Sequence, residues 1–149
     1  PHRYIRGSSS PRAAEAARAL PFDFVLTARA ENFLVGRPDL GDAIKRLQAY
    51  QEAGADVLYA PVLTKPEDIR AVTSSVEWPV NVVVGLSKLA LDMDDLGRLG
   101  VARVSIGSGF ARLAYGQAVA AAQDILGRGN FAALSGAMAY AEISRRLSR

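Results

Sequence analysis

The feature that most constrains this chain is one pattern repeated four times: a short apolar run rich in β-branched residues, followed by a segment with helical spacing. The runs are FDFVLTA (residues 22–28), DVLYA (56–60), VNVVV (80–84) and VARVSI (101–106). Each has strand length, and near-continuous hydrophobicity is what a strand buried on both faces shows, as in parallel sheets. Between the first two, Leu40, Ala43, Ile44, Leu47 and Tyr50 recur at helical spacing, with Asp42, Lys45, Arg46 and Gln48 on the other side. Helices are predicted over 13–20, 40–53, 65–74, 90–99 and 110–126, and over 131–147 with a kink near Gly136. Gly54 sits where a helix C′ residue is expected, and Thr64 with Pro66 reads as a cap and first-turn pair. Asp92, Asp94 and Asp95 open a helix, where they complement its dipole.

This alternation predicts an α/β chain with a parallel sheet and helical crossovers. Strand-to-strand intervals of roughly 20–35 residues match one βαβ unit each. Two architectures compete: an open doubly wound sheet, and a (β/α) barrel segment. A whole barrel takes about 250 residues, and four units fill most of the 149 here. The pattern alone leaves both a small flavodoxin-like binding domain and half a barrel open. The expected organisation is an irregular head (1–12), a (β/α) body (13–127) and a C-terminal helical segment (128–149).

Composition narrows the function classes. There is no cysteine, which excludes disulfides, thiolate metal sites and a cysteine nucleophile within these residues. The net charge of +3 comes from arginines spread along predicted helices, with small clusters at Arg3, Arg6 and Arg12 and at Arg145, Arg146 and Arg149. Solvated helix faces explain that spread better than a nucleic-acid surface, which would gather the charge on one face beside a recognition motif. No apolar run approaches the roughly 20 residues of a membrane span, and no signal peptide is visible, so neither nucleic acid nor membrane is an expected partner and the cytoplasm is the expected compartment. The lone histidine, His2, stands in the head and is not expected to ligate a metal or act as a base.

Both architectures place ligands at the C-terminal ends of strands. The first strand runs into Ala28-Arg29-Ala30-Glu31-Asn32, and alternation puts Arg29 and Glu31 on one side. The planar fork of Arg29 can hold a carboxylate or phosphonate bidentately, and an ion pair at the sheet mouth explains the two residues equally well. The second strand ends in Tyr59-Ala60-Pro61, offers nothing ionisable, and reads as structural. Asn81 lies early in the third strand, where a structural hydrogen bond is favoured over a ligand contact. The fourth runs into Ser105-Ile106-Gly107-Ser108-Gly109, and Gly107, Ser108 and Gly109 form a weak anion-binding signal that a tight turn explains nearly as well. No divalent-metal cluster and no nucleophile–base pair can be assembled from these residues.

Three stretches together resemble the second half of the isocitrate lyase/phosphoenolpyruvate mutase superfamily. FVLTARAENFLVG is similar to its fifth strand with an Ala-Arg-x-Glu/Asp ending, RLQAYQEAGADVLYAP to its "AGAD" sixth strand, and RVSIGSGFARLAYGQAVAAAQDIL to its eighth strand and following helix. The resemblance implies strands five to eight of a TIM barrel plus C-terminal helices. It also implies magnesium-dependent making or breaking of a C–C or P–C bond in small 2-oxo or 2-hydroxy carboxylates, with Mg²⁺ as the Lewis acid at an enolate-like unit. By motif, Arg29 would hold the substrate's carboxylate or phosphonate, Glu31 would sit beside it, and Asn81 would be a pocket residue of the seventh strand. In that family the metal-binding aspartates and the mobile catalytic loop lie upstream of the fifth strand, where this chain starts, so the magnesium ligands are expected outside it. Isocitrate lyases carry a glutamate where this chain has Ala60-Pro61, which argues against isocitrate and for a phosphonomutase-like subgroup. Two functional expectations follow. One is an enzyme completed by a second chain or a further segment. The other is a non-catalytic half barrel that self-associates, with residues 131–147 exchanged between subunits; a homo-oligomer is expected either way, because an open sheet leaves edges and apolar surface unprotected.

Overall fold

A computed structural model of the protein describes residues 10–85 and 91–148. The readings made at residues 1–9 of the head, His2, Arg3 and Arg6 among them, at Ala90 and at Arg149 lie outside the described residues. The chain divides into two compact units, 1–107 and 108–149.

The first unit is a four-stranded parallel sheet in the order β1-β2-β3-β4, formed by Thr27–Arg29, Val57–Tyr59, Val80–Val83 and Arg103–Ser105. Helix α1 (Ser10–Arg18) precedes β1, and α2 (Leu40–Glu52), α3 (Pro66–Ser74) and α4 (Met93–Arg98) connect successive strands. Strand order settles the choice between architectures. A doubly wound sheet reverses its order and covers both faces with helices, whereas these strands run consecutively. Leu47 of α2, Ile69 and Val72 of α3 and Leu96 of α4 join one core with Leu58, Ala60, Val80 and Val82. The winding is therefore single, as in a (β/α) barrel.

Each element begins where its chemistry allows. Asp39 caps α2 by accepting from the Asp42 amide at 2.9 Å. Asp92 and Asp95 form a reciprocal capping box at α4, which therefore starts at Met93. Helix α3 starts with Pro66 at its first turn, but Lys65 and not Thr64 holds the cap position, and it makes no side-chain cap bond. Pro11 is accepted in the first turn of α1, so that helix includes residues expected in the head; it ends at Arg18, ahead of Pro21. Gly100 has φ +84, and a Cβ there would meet Thr73 at 3.2 Å, so the turn after α4 needs glycine both for its conformation and for its closeness to α3.

The first strand is shorter and later than the apolar run predicts. Leu26 O accepts from the amides of Asp56 and Val57 at 2.9 and 3.1 Å, so pairing with β2 starts there. Upstream residues have no ladder partner, and Phe22, Phe24 and Val25 are exposed. Asp56 locks this entry: it accepts from the Leu26 amide at 2.7 Å and from Arg18 Nη2 at 2.5 Å, tying α1 to the start of the sheet.

The second unit holds α5 (Gly109–Arg128), a 3-10 turn (Ala132–Gly136) and α6 (Tyr140–Leu147). The single kinked helix predicted over 131–147 is instead a short turn and a separate helix. Ala137 is extended (φ −68°, ψ 142°) just after Gly136, which breaks the helical ladder. None of the residues in these elements is buried. Among the described residues, no helix is long and apolar enough to cross a membrane.

Leu58 is fully buried at the centre of the sheet. Leu58→Ala is expected to lower the unfolding free energy by about 2–5 kcal/mol in a urea titration. Arg18 and the Leu26 amide hold the Asp56 carboxyl below its usual range, and Arg46 and Arg98 do the same for Asp42 and Asp95. A carboxyl depressed in the fold contributes stability above its unfolded pKa and loses it as pH falls through the folded value. The urea midpoint is therefore expected to fall as the pH drops below about 4, with a shallower fall in Asp56→Asn.

Candidate functional site

Side chains alternate across a strand, so the even-numbered residues that feed the helix-covered core leave the odd-numbered ones on the opposite face. The ladder aligns these in one row: Arg29 with Tyr59, Tyr59 with Asn81, and Asn81 with Arg103. Ser105, two residues beyond Arg103, shares that face one layer nearer the C-terminal edge. The row starts at the last residue of β1 and ends at the first of β4, as expected of a ladder that crosses staggered strands.

Arg29 and Glu31 come together as their spacing suggests. Arg29 Nε lies 2.8 Å from Glu31 Oε1, with the arginine side chain about half exposed (48%). The guanidinium carbon also stands 5.1 Å from the centroid of the Tyr59 ring, a cation–π distance. The reading of Tyr59 as structural is thereby given content, because its ring is the platform on which the arginine rests. Tyr59 is 9% exposed, and its backbone carbonyl accepts from the Ala30 amide at 2.8 Å, continuing the ladder past β1. Burial raises the Tyr59 phenol above its ordinary value; the Arg29 charge opposes this and the Glu31 charge adds to it.

Asn81 is 2% exposed and its Nδ2 donates to Ser105 Oγ at 3.0 Å. Its Oδ1 is sealed from solvent with no hydrogen-bond partner. The expected structural hydrogen bond is present, and it leaves the Ser105 hydroxyl proton directed elsewhere, because that oxygen already accepts. Behind the row, Asn32 is buried and its Nδ2 donates to Asp42 Oδ2, which also accepts from Arg46 Nε at 2.7 Å. The Asn32 carbonyl accepts from the Arg37 amide at 2.8 Å. This network fastens the segment carrying Arg29 and Glu31 to α2.

At the end of β2, Pro61 is fully buried and Val62 has φ +68°, a left-handed conformation that costs a β-branched residue about 1–3 kcal/mol. Backbone strain thus lies at the same edge as Arg29. Gly107 has φ +57° and ends the first unit, while Ser108 and Gly109 open the second. Within the second unit Ser108 precedes α5 without a side-chain cap bond, and its carbonyl accepts from the Arg112 amide at 2.9 Å.

Sequence reasoning passed over Tyr59, Ser105 and Asn32. Searching strand ends for groups charged at neutral pH cannot find Tyr59 or Ser105. Placing the four strands side by side with Arg29 level with Tyr59 would have found both. Among the described residues, no group of three or more His, Asp or Glu side chains stands where it could hold a metal ion.

The profile of the phosphoenolpyruvate phosphomutase family matches residues 9–126. A candidate lyase/mutase of Burkholderia cenocepacia J2315 is 48% identical and superposes with a TM-score of 0.93 over 98% of this chain and 54% of its own. A phosphonopyruvate hydrolase, solved with oxalate and Mg²⁺, is 28% identical with a TM-score of 0.74, over 95% of this chain and 52% of its own. An uncharacterised protein of Mycobacterium tuberculosis is 37% identical over 84 residues, 56% of this chain and 31% of its own. The chain thus spans about half the length of those solved structures and under a third of that curated relative. Its four strand–helix units match half of the TIM-barrel-like fold of these proteins.

Replacing Asn81 by aspartate puts a carboxylate where exposure is 2%. Burial raises such a group's folded pKa, so its penalty is absent below the unfolded value of about 4 and grows as pH rises. Asn81→Asp is expected to be clearly less stable than the parent at pH 7 and close to it near pH 4, by thermal melts across that range.

Proposed function

The chain belongs to the phosphoenolpyruvate phosphomutase family, and from that premise we propose that it carries the substrate-anchoring side of a site for small 2-oxo or 2-hydroxy carboxylates. The observation that carries this reading is Arg29 at the C-terminal end of β1, paired with Glu31 and resting on Tyr59. Catalytic groups in barrels gather at that edge. A guanidinium held by an ion pair on one side and a ring on another is preorganised for a carboxylate or phosphonate. Glu31 holds the cation in place until an anion arrives, and the Asn32–Asp42–Arg46 network keeps the loop from shifting.

The family's chemistry, C–C or P–C bond cleavage or formation beside an enolate-like unit, calls for a Lewis acid. Magnesium accompanies oxalate in the related hydrolase. The described residues of this chain do not form a ligand set for it, so no step here is assigned to a metal, and the role derived for this chain is to bind and orient the substrate anion.

Oxalate, a planar dicarboxylate, is the appropriate probe. Arg29→Ala is expected to weaken oxalate binding by roughly 100-fold in calorimetry, as loss of a bidentate charged contact predicts. Unchanged affinity in that variant would sink the reading.

A second reading, a non-catalytic chain that self-associates, is favoured by one observation. Phe110, Leu113, Tyr115, Val119, Phe131 and Leu147 of the second unit are all more than half exposed. Apolar surface on that scale is normally covered by a partner. Sedimentation equilibrium is expected to return at least twice the mass of one chain, and a monomer at all concentrations tested would remove this reading.

A further inference from the structure

Tyr59 holds the central place beside the anchor. It is in register with Arg29 on one strand and with Asn81 on the other. Both neighbours are engaged, Arg29 by Glu31 and Asn81 by Ser105. The Tyr59 hydroxyl has no hydrogen-bond partner among the described residues. It is nevertheless not sealed, since the only enclosed, unpartnered side-chain polar atoms among those residues are Asn32 Oδ1 and Asn81 Oδ1. A phenol buried over most of its ring has thus kept its one polar atom accessible, beside a cation.

Such a hydroxyl suits an anion. Burial favours the neutral phenol, so near pH 7 the group is a donor. The guanidinium carbon stands over the face of the ring, so an incoming anion reaches the cation from a side the ring does not occupy, past the edge of the ring. An arginine fork satisfies two acceptor lone pairs, and a 2-oxo acid or oxalate brings further oxygens that need donors from another direction.

We propose that Tyr59 is a ligand-contacting residue of this site: its ring supports the Arg29 guanidinium, and its hydroxyl donates a hydrogen bond to the anion that Arg29 binds. The ligand class is a small 2-oxo acid or dicarboxylate, one oxygen pair meeting the guanidinium and a neighbouring oxygen the phenol. This rests on the reading of Arg29 as the anchor.

The test is calorimetric titration of oxalate, with Mg²⁺ present, into the full chain and into Tyr59→Phe, Tyr59→Leu and Arg29→Ala. Tyr59→Phe keeps the ring and is expected to bind about tenfold more weakly, as loss of one hydrogen bond to a charged group predicts. Tyr59→Leu, which also removes the ring, is expected to bind more weakly still. In the parent chain, the Tyr59 ¹³Cζ resonance is expected to shift on oxalate addition, a response that a purely structural ring would not give. Parent-like binding by Tyr59→Phe together with loss of binding by Arg29→Ala overturns the hydroxyl contact and leaves the anchor standing. Parent-like binding by both variants, or no oxalate binding by the parent chain, overturns the anchor and this proposal with it.

Discussion

Burial of the even-numbered strand residues against three helices is the constraint on which the rest of the first unit depends. Leu58, Ala60, Val80 and Val82 are removed from water only because α2, α3 and α4 lie on the same side of the sheet. Burying each of the leucine and valine side chains contributes about 1.5–3 kcal/mol, and a slip of one residue would turn all four residues to the other face. The register is thereby set by the residues that face the helices. The odd-numbered residues have no freedom left: Arg29, Tyr59 and Asn81 must stand in one row, whatever they do there.

That coupling explains how a site is held by a scaffold that spends little on it directly. The Arg29–Glu31 pair is half exposed and would contribute little to stability as a surface ion pair. Its orientation comes from its surroundings. The Tyr59 ring lies under the cation, the Ala30 amide bonds to the Tyr59 carbonyl, and the Asn32–Asp42 contact secures the following loop. The departures from ordinary packing gather at the same place. The positive φ of Val62 and the unpartnered Oδ1 atoms of Asn32 and Asn81 all lie on or beside the strands that carry this row. Strain and unsatisfied polarity of this kind cluster at functional sites, which accords with the binding role proposed for this row.

How far local sequence could be read depended on whether the deciding interaction was local. The α2 boundaries were legible because Asp39 caps it and its apolar stripe is regular. The start of β1 was not. FDFVLTA is mostly apolar, but a strand exists only where a neighbour offers a ladder, and β2 first offers one at Leu26. The segment after Gly129 misled in the same way, since helical spacing continues through Gly136 while the backbone does not. Arg29 and Glu31 were legible because two-residue spacing where a strand runs out keeps two side chains close to the same side. Ser105 and Tyr59 were not, because their relation to Arg29 and Asn81 runs between strands far apart in sequence.

The residues taken in order thus specified four strand–helix units, their polarity along the chain, and an arginine and a glutamate together at the end of the first strand. Those properties follow from hydrophobic period and nearest-neighbour stereochemistry, which need no partner element. Tertiary packing decided between a singly wound and a doubly wound sheet, and it decided that Tyr59 would support Arg29 and Asn81 would bond Ser105. Strand order and register are set by which apolar faces meet across 20 or more residues of intervening chain, and no short window of sequence contains that information.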